Sequence, residues 1–128
     1  MIKVILVFIF CFQFNHLISG EPKLEKIISG LDSPWSLSFI DTNKVLITEK
    51  SGQIFLGNLK SKRINKINHN LDILENRQGG LLEILYFNKS VFVSYSENRG
   101  NGKSSTSVAS AKFNDKDMYF KNIFRAEP

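Results

Sequence analysis

After Gly20 the sequence contains no cysteine; its single one, Cys11, lies in the first twenty residues. A chain without thiols beyond that point forms no disulfides and no cysteine-ligated metal site, so its core must hold it together. Histidine is nearly as scarce. Of His16 and His69, only His69 follows residue 20, and one imidazole cannot make a metal triad. Long charge runs are missing too. Lys3 is the one basic residue of the 17 that falls in the first twenty, and the remaining 16 against 12 acids leave a net charge of +4. The densest basic group, Lys60, Lys62, Arg63 and Lys66, interleaves with Ser, Ile and Asn rather than with stacking aromatics. It lacks the concentrated basic face that nucleic acid requires. No stretch after residue 21 carries a sustained apolar stripe at 3.6-residue spacing, which argues against amphipathic helices.

What is present begins with an address. "MIKVILVFIFCFQFNHLISG" has an early lysine, Lys3, an apolar run from Val4 to Phe12, and the small residues Ser19 and Gly20 where a signal peptidase would cut. The run is shorter than the roughly 20 residues of a spanning helix. Residues 1–20 therefore read as a secretory signal, with an uncleaved membrane anchor as the rival. Phe10 stands where a lipobox needs a small residue before Cys11. The expectation is a domain over residues 21–128, exported to the periplasm or secreted, with no stable membrane insertion after cleavage.

From Leu24 onward, short apolar runs alternate with turn residues. "SLSFI", "KVLITE", "QIFLGNL", "LLEILYF", "SVFVSYS", "TSVASAKF" and "MYFKNIF" read as strands, rich in Val, Ile, Phe and Tyr. The breaks at 41–43, 50–52, 88–89, 97–105 and 114–117 carry Asn, Asp, Gly or Ser. The fold class is all-β. A weak repeat sets Phe39, Val45, Ile47 and Thr48 46 residues before Leu85, Val91, Val93 and Ser94. That period, with about four strands per unit, is that of a β-propeller blade. The chain holds about one and a half to two such units, and a ring needs at least about four. It is either a piece of a larger propeller or a small sandwich with blade-like spacing. Two adjacent antiparallel sheets are expected: strands near 36–40, 44–49 and 53–59 in one, and near 81–86, 91–96, 105–113 and 119–125 in the other.

Most candidate motifs dissolve on inspection. Trp35 after Pro34 reads as a core aromatic leading into the first strand rather than a ligand-stacking platform. "RGNGKSS" lacks the glycine of a phosphate loop, since Glu97 stands at that position and no helix pattern follows; it reads as a hairpin loop. His69 reads as a solvated loop residue. "NDKD" at 114–117 lacks the glycine and distal glutamate of a calcium loop and reads as a turn. "NKS" at 88–90 matches a glycosylation acceptor but sits in a tight hairpin. No nucleophile-plus-base set is present. "RQGGLLE", Arg77–Glu83, is different. Gly79 and Gly80 permit positive φ and let a ligand or another strand approach the backbone. Gln78 offers donor and acceptor at the mouth of a strand. On spacing alone, a β-bulge with a polar cap explains this better than a binding edge does.

The chain resembles the N-terminal part of the soluble, pyrroloquinoline-quinone (PQQ)-dependent sugar dehydrogenases of the glucose/sorbosone dehydrogenase family. "GLDSPWSLSFI", "VLITEKSGQIFL", "RQGGLLEI", "VFVSYSE", "STSVASAKF" and "IFRAEP" resemble the family's segments in order. The resemblance implies a six-bladed propeller holding the quinone and calcium at one end of its cavity. It implies an oxidoreductase taking aldose sugars at C1, with hydride passing to the quinone and then to an external electron acceptor. Gln78 matches the family glutamine that contacts quinone or substrate, and is the one cofactor-binding residue carried over. The family's catalytic histidine comes after the segment resembling "IFRAEP", and so is expected beyond Pro128. The other quinone contacts and the calcium ligands belong there too, so no catalytic or metal residue is assigned within this chain. Arg77 stands where the family has a small or polar residue. The expectation is an incomplete piece, inactive alone; the alternative is an exported, non-catalytic propeller that only binds.

Overall fold

The computed structural model describes residues 21–127. The signal-like segment 1–20 and the last residue, Pro128, lie outside the described residues. The expectation of an export signal and that of a catalytic histidine beyond Pro128 therefore both fall outside them. Among the described residues nine strands form two sheets. β1 (Pro34–Phe39), β2 (Lys44–Glu49), β3 (Ile54–Asn58) and β4 (Arg63–His69) make an antiparallel meander, joined at its far edge by the two-residue β8 (Asp117–Met118), parallel to β4. β5 (Leu81–Phe87), β6 (Ser90–Asn98), β7 (Ser104–Lys112) and β9 (Lys121–Arg125) make the second meander. No helix occurs among the described residues. The two edge strands β1 and β5 lie against one another.

Local chemistry makes the turns. Asp41 Oδ1 accepts from the amides of Asn43 (2.7 Å) and Lys44 (2.8 Å), closing the β1–β2 connection. Asn88 and Lys89 both take positive φ, the conformation of a two-residue hairpin that follows the strand twist. Residues 99–103 form the β6–β7 loop, and Asn114 Oδ1 caps the 114–117 turn through the amides of Lys116 and Asp117.

Alternation then sorts the faces. Leu46, Ile54, Leu56 and Ile67 of the first sheet pack against Leu81, Ile84, Val91, Val93, Tyr95, Ala109 and Ala111 of the second, with Met118 and Phe120 at the margin. Two ladder irregularities sit beside this core. β1 shifts register between Pro34 and Ser36, and β5 between Leu81 and Ile84. The bulges free Ser36 N and Leu82 O, and one buried hydroxyl takes both: Thr48 Oγ1 accepts from Ser36 N (3.2 Å) and donates to Leu82 O (2.8 Å). Ser36 Oγ accepts from Ile84 N (3.4 Å) and Ser38 Oγ from Tyr86 N (2.9 Å), so hydroxyls replace a backbone ladder between β1 and β5.

The structure corrects several expectations. β4 is an additional strand: "RINKINH" has two apolar residues in seven, of which only Ile67 is fully buried. "MYFKNIF" is not one strand. Phe120 turns into the core, gripped by Asn70, whose Oδ1 accepts from Phe120 N (2.8 Å) and whose Nδ2 donates to Phe120 O (3.1 Å). The segment is thereby split between β8 and β9 on different sheets. Trp35 is not in the core but 44% exposed, because β1 alternation turns Trp35, Leu37 and Phe39 away from β5. With Ile28, Leu31 and Val45 they line an apolar groove of about 440 Å³. The repeat holds for Val45/Val91 and Ile47/Val93, but Phe39 pairs with Val45 as Tyr86 pairs with Val91, so Tyr86, not Leu85, is its counterpart.

Thr48→Val keeps the shape and removes the hydroxyl. With two buried backbone groups unpaired at roughly 1–3 kcal/mol each, the expected loss is about 2–4 kcal/mol. Thr48→Ser restores the bonds and should lose only about 1 kcal/mol for the missing methyl. Urea denaturation of the two variants side by side reads the difference; equal losses would mean that packing, not the hydroxyl, holds the seam.

Candidate functional site

Gln78 lies on a short excursion that leads into β5. The segment before it pairs with the end of β6: Leu74 N donates to Ser96 O (2.9 Å), and Asn98 N to Asp72 O (3.0 Å). The segment after it returns to the same residue, with Ser96 N donating to Gly80 O (2.8 Å). Residues 75–79 thus leave and rejoin the sheet across Ser96. Within them Gly79 N donates to Asn76 O (2.7 Å), a tight turn with Arg77 and Gln78 at its centre. Arg77 takes φ 51°, where glycine would carry no steric cost. Arg77 and Gln78 are both exposed. The Gln78 amide makes no hydrogen bond among the described residues, so its donor and acceptor are open to a ligand.

The glycine pair has a structural cause. A Cβ on Gly79 would come 2.6 Å from Ser96 Oγ, and one on Gly80 would collide with the Lys50 carbonyl oxygen. Of the two approaches open on sequence grounds, a ligand or another strand, the structure shows other strands close by, β6 at Gly79 and the segment just past β2 at Gly80. Lys50, at the end of β2, reaches over from the first sheet. Its carbonyl accepts from Leu81 N (3.0 Å), and its Nζ donates to Arg77 O. Nothing in the sequence singles out Lys50 or Ser96; "KSG" at 50–52 reads there only as a turn.

The same end of the second sheet carries a polar network. Arg125 grips Glu97 through two hydrogen bonds, Nε to Oε2 (3.0 Å) and the guanidinium to Oε1 (2.8 Å). Ser107 Oγ donates to Glu97 Oε2 (2.6 Å), and Arg99 lies 3.2 Å from that oxygen. Burial pushes the Glu97 carboxyl up, but the Arg125 and Ser107 hydrogen bonds and both guanidinium charges outweigh it and hold the pKa below the usual 4.5. Ser107 and Arg125 lie 10 and 28 positions from Glu97, separations at which sequence offers no signal.

His69 is not a solvated loop residue. It ends β4, half-buried; its Nε2–H donates to Gly52 O (2.7 Å) and its Nδ1 accepts from Leu71 N (3.3 Å). That arrangement requires the neutral ring. Burial lowers its pKa below 6.5; the Gly52 carbonyl opposes this, and Lys66 adds to the lowering. Both ring nitrogens are thereby engaged with backbone, which leaves His69 without a free nitrogen to serve as a base. Among the described residues no group of three His, Cys, Asp or Glu can hold a metal.

Residues 31–128, through Pro128 itself, match the family described as Glucose / Sorbosone dehydrogenase. The chain belongs to that family. It is 28% identical over 114 residues to the aldose sugar dehydrogenase YliI of Escherichia coli K12, covering 82% of this chain and 31% of that protein. A crystal structure of a glucose dehydrogenase superposes with a TM-score of 0.77 at 32% identity, over 84% of this chain and 34% of the other. The PQQ-bound aldose sugar dehydrogenase of Streptomyces coelicolor shares the fold, with a TM-score of 0.70 at 18% identity over 82% of this chain and 34% of the other. The chain thus spans about a third of the length of these relatives. Its two sheets are blades of a β-propeller, β1 and β5 being their inner strands.

Gly80→Ala collides with a backbone oxygen at φ 153° and should cost roughly 2–4 kcal/mol, whereas Gly79→Ala collides with the Ser96 hydroxyl, which can rotate, and meets Asn76 O only at 3.1 Å, so it should cost less. Thermal melts of the pair decide it, and equal losses would remove the Lys50 contact as the cause. Acid tests the two titrating groups. Both have lowered folded pKa values, so each stabilises above its unfolded value and that stability fades as pH falls. The His69 contribution should decline below pH 6.5 and the Glu97 contribution below 4.5. His69→Gln keeps a donor without a titrating ring and should flatten the first decline in denaturation midpoints measured from pH 7.5 to 5.5. An unchanged slope would exonerate His69.

Proposed function

We propose that this chain supplies the first third of a PQQ-dependent sugar dehydrogenase that oxidises aldoses at C1, and that Gln78 is one of its contacts with quinone or sugar. The observation that carries the reading is the unpartnered Gln78 amide on a turn anchored to both sheets, within the stretch "RQGGLLE", in a chain of this family.

The residues present fit a polar ligand at one edge. The Gln78 amide can donate to a carbonyl oxygen and accept from a hydroxyl, and anchoring spares the site the reorganisation that a loose loop would require. No three His, Cys, Asp or Glu side chains gather among the described residues, and the calcium that the resemblance implies is assigned to no residue of this chain. PQQ, when bound, supplies the hydride acceptor. The proton of the C1 hydroxyl passes to the family histidine, which belongs to a segment of the full-length protein beyond Pro128. Gln78 orients the reacting groups through one hydrogen bond. Arg77 adds a positive charge beside it. Residues 1–20 act as the export signal, placing the protein in the periplasm or outside the cell, where an external acceptor takes the electrons.

The test uses the full-length protein that carries this chain, reconstituted with PQQ and calcium and assayed by dye reduction with aldoses. Gln78→Ala should lower turnover on the order of 10²-fold with the fold intact, the scale of one lost polarising hydrogen bond. Residues 21–128 alone should reduce no dye; activity from them would overturn the placement of the base beyond Pro128. Equal rates for Gln78→Ala and wild type would return Gln78 to the role of a turn residue, and sugar binding without any oxidation would favour a propeller that only binds.

A further inference from the structure

We propose that Lys50 is a positioning residue for Gln78: its ammonium, reaching from the first blade, locks the peptide that aims the Gln78 side chain in the second. The proposal rests on Gln78 being a site residue.

Three observations meet at Lys50. Its carbonyl accepts from Leu81 N, which fixes the root of β5. Its stem lies against Gly80, where even a Cβ would come within 2.8 Å of Lys50 Cγ. Its Nζ donates to Arg77 O. That oxygen belongs to the Arg77–Gln78 peptide, the central peptide of the Asn76–Gly79 turn. A peptide unit is planar, so holding its oxygen fixes the plane from which the Gln78 Cα–Cβ bond departs. The central peptide of a tight turn is also the unit whose rotation converts one turn type into another, at the cost of changing φ and ψ on either side. Arg77 already sits at φ 51°, a conformation an L-residue keeps only where the surroundings impose it. The turn's internal bond, Gly79 N to Asn76 O, closes its ends but does not hold the central peptide. Among the described residues, Lys50 Nζ is the group that does.

The same contact crosses between blades. Ser96 anchors the excursion to its own sheet, and Lys50 ties it to the neighbouring one. A shift of one blade against the other therefore reaches Gln78 through the Lys50 side chain.

The experiment uses the intact, reconstituted protein with Lys50→Met, which keeps the stem and removes the donor, Lys50→Arg, which restores a donor, Gln78→Ala, and the Lys50→Met/Gln78→Ala double variant. Amide hydrogen exchange reads the turn without reference to activity. Gly79 and Leu81 should exchange about tenfold faster in Lys50→Met, while core amides of β6 stay unchanged and Lys50→Arg recovers protection. In dye reduction, Lys50→Met should lose about tenfold in kcat/KM, and the double variant should be no slower than Gln78→Ala alone, since both act through one contact. Unchanged exchange at Gly79 overturns the proposal whatever the activity. Losses that multiply in the double variant also overturn it, because Lys50 would then act independently of Gln78. Wild-type turnover by Gln78→Ala overturns the site reading instead, and the exchange result by itself then decides whether Lys50 holds the turn.

Discussion

One hydroxyl, that of Thr48, bridges the two bulged strands where the blades meet. The inner strands β1 and β5 come side by side without a backbone ladder, and each is bulged where they meet. A bulge strands a backbone donor or acceptor, and in a buried seam each stranded group costs roughly 1–3 kcal/mol. Thr48 satisfies one from each strand, accepting from Ser36 N and donating to Leu82 O. Ser36 and Ser38 continue the seam against Ile84 N and Tyr86 N. A large apolar side chain at these positions would push the strands apart and leave the amides dry. The small polar residues on every second position of β1 are therefore set by the partner strand, and the large ones, Trp35, Leu37 and Phe39, fall by alternation on the opposite face.

The candidate site inherits its geometry from this seam. β5 begins where Lys50 O accepts from Leu81 N, two residues beyond Thr48 along the first blade. The separation is so small that Gly80 cannot carry a Cβ. The glycine pair thus has a structural cause, strands of the same chain passing at contact distance. What faces outward is the turn they support, with Arg77 and Gln78 exposed. Rigid packing below and an unpartnered amide above is the arrangement by which a loop can present a polar group without surrendering its position.

Much of the fold is legible in the sequence because alternation and turn chemistry are local. The hairpin at Asn88–Lys89, the cap at Asp41 and the loop at 99–103 stand where Asn, Asp and Gly place them. The corrected expectations share a cause, which is that distant partners decide the outcome. β4 carries its burial on Ile67 alone and reads as polar. Phe120 breaks an apparent strand because Asn70, fifty positions away, captures its backbone. His69 looks solvated until Gly52 and Leu71 are brought against its two nitrogens. Trp35 reads as core because strand alternation gives a side chain's face but not which face meets the other sheet. For the candidate site, "RQGGLLE" marks the turn, yet the reasons for its glycines lie in Lys50 and Ser96. The role proposed for Gln78 starts from family resemblance, to which its surroundings add an exposed amide on an anchored turn.

The repeat explains why the unit extends naturally in both directions. Val45 and Ile47 in the first blade correspond to Val91 and Val93 in the second. In the second blade these positions are fully packed, covered by the face that bears Leu46 and Leu56. In the first blade the same positions form the floor of the apolar groove beside Trp35, Leu37 and Phe39. On the other side, Leu85, Phe87 and Phe124 stand exposed on the second sheet. The two outer faces therefore repeat the two halves of the interface already made inside the chain. At about 25 cal/mol per Å² of apolar surface, leaving both open forgoes a stabilisation comparable to what the internal interface provides. A blade stacked against each by the same alternation would continue the seam, in keeping with a chain that covers about a third of the length of its propeller relatives.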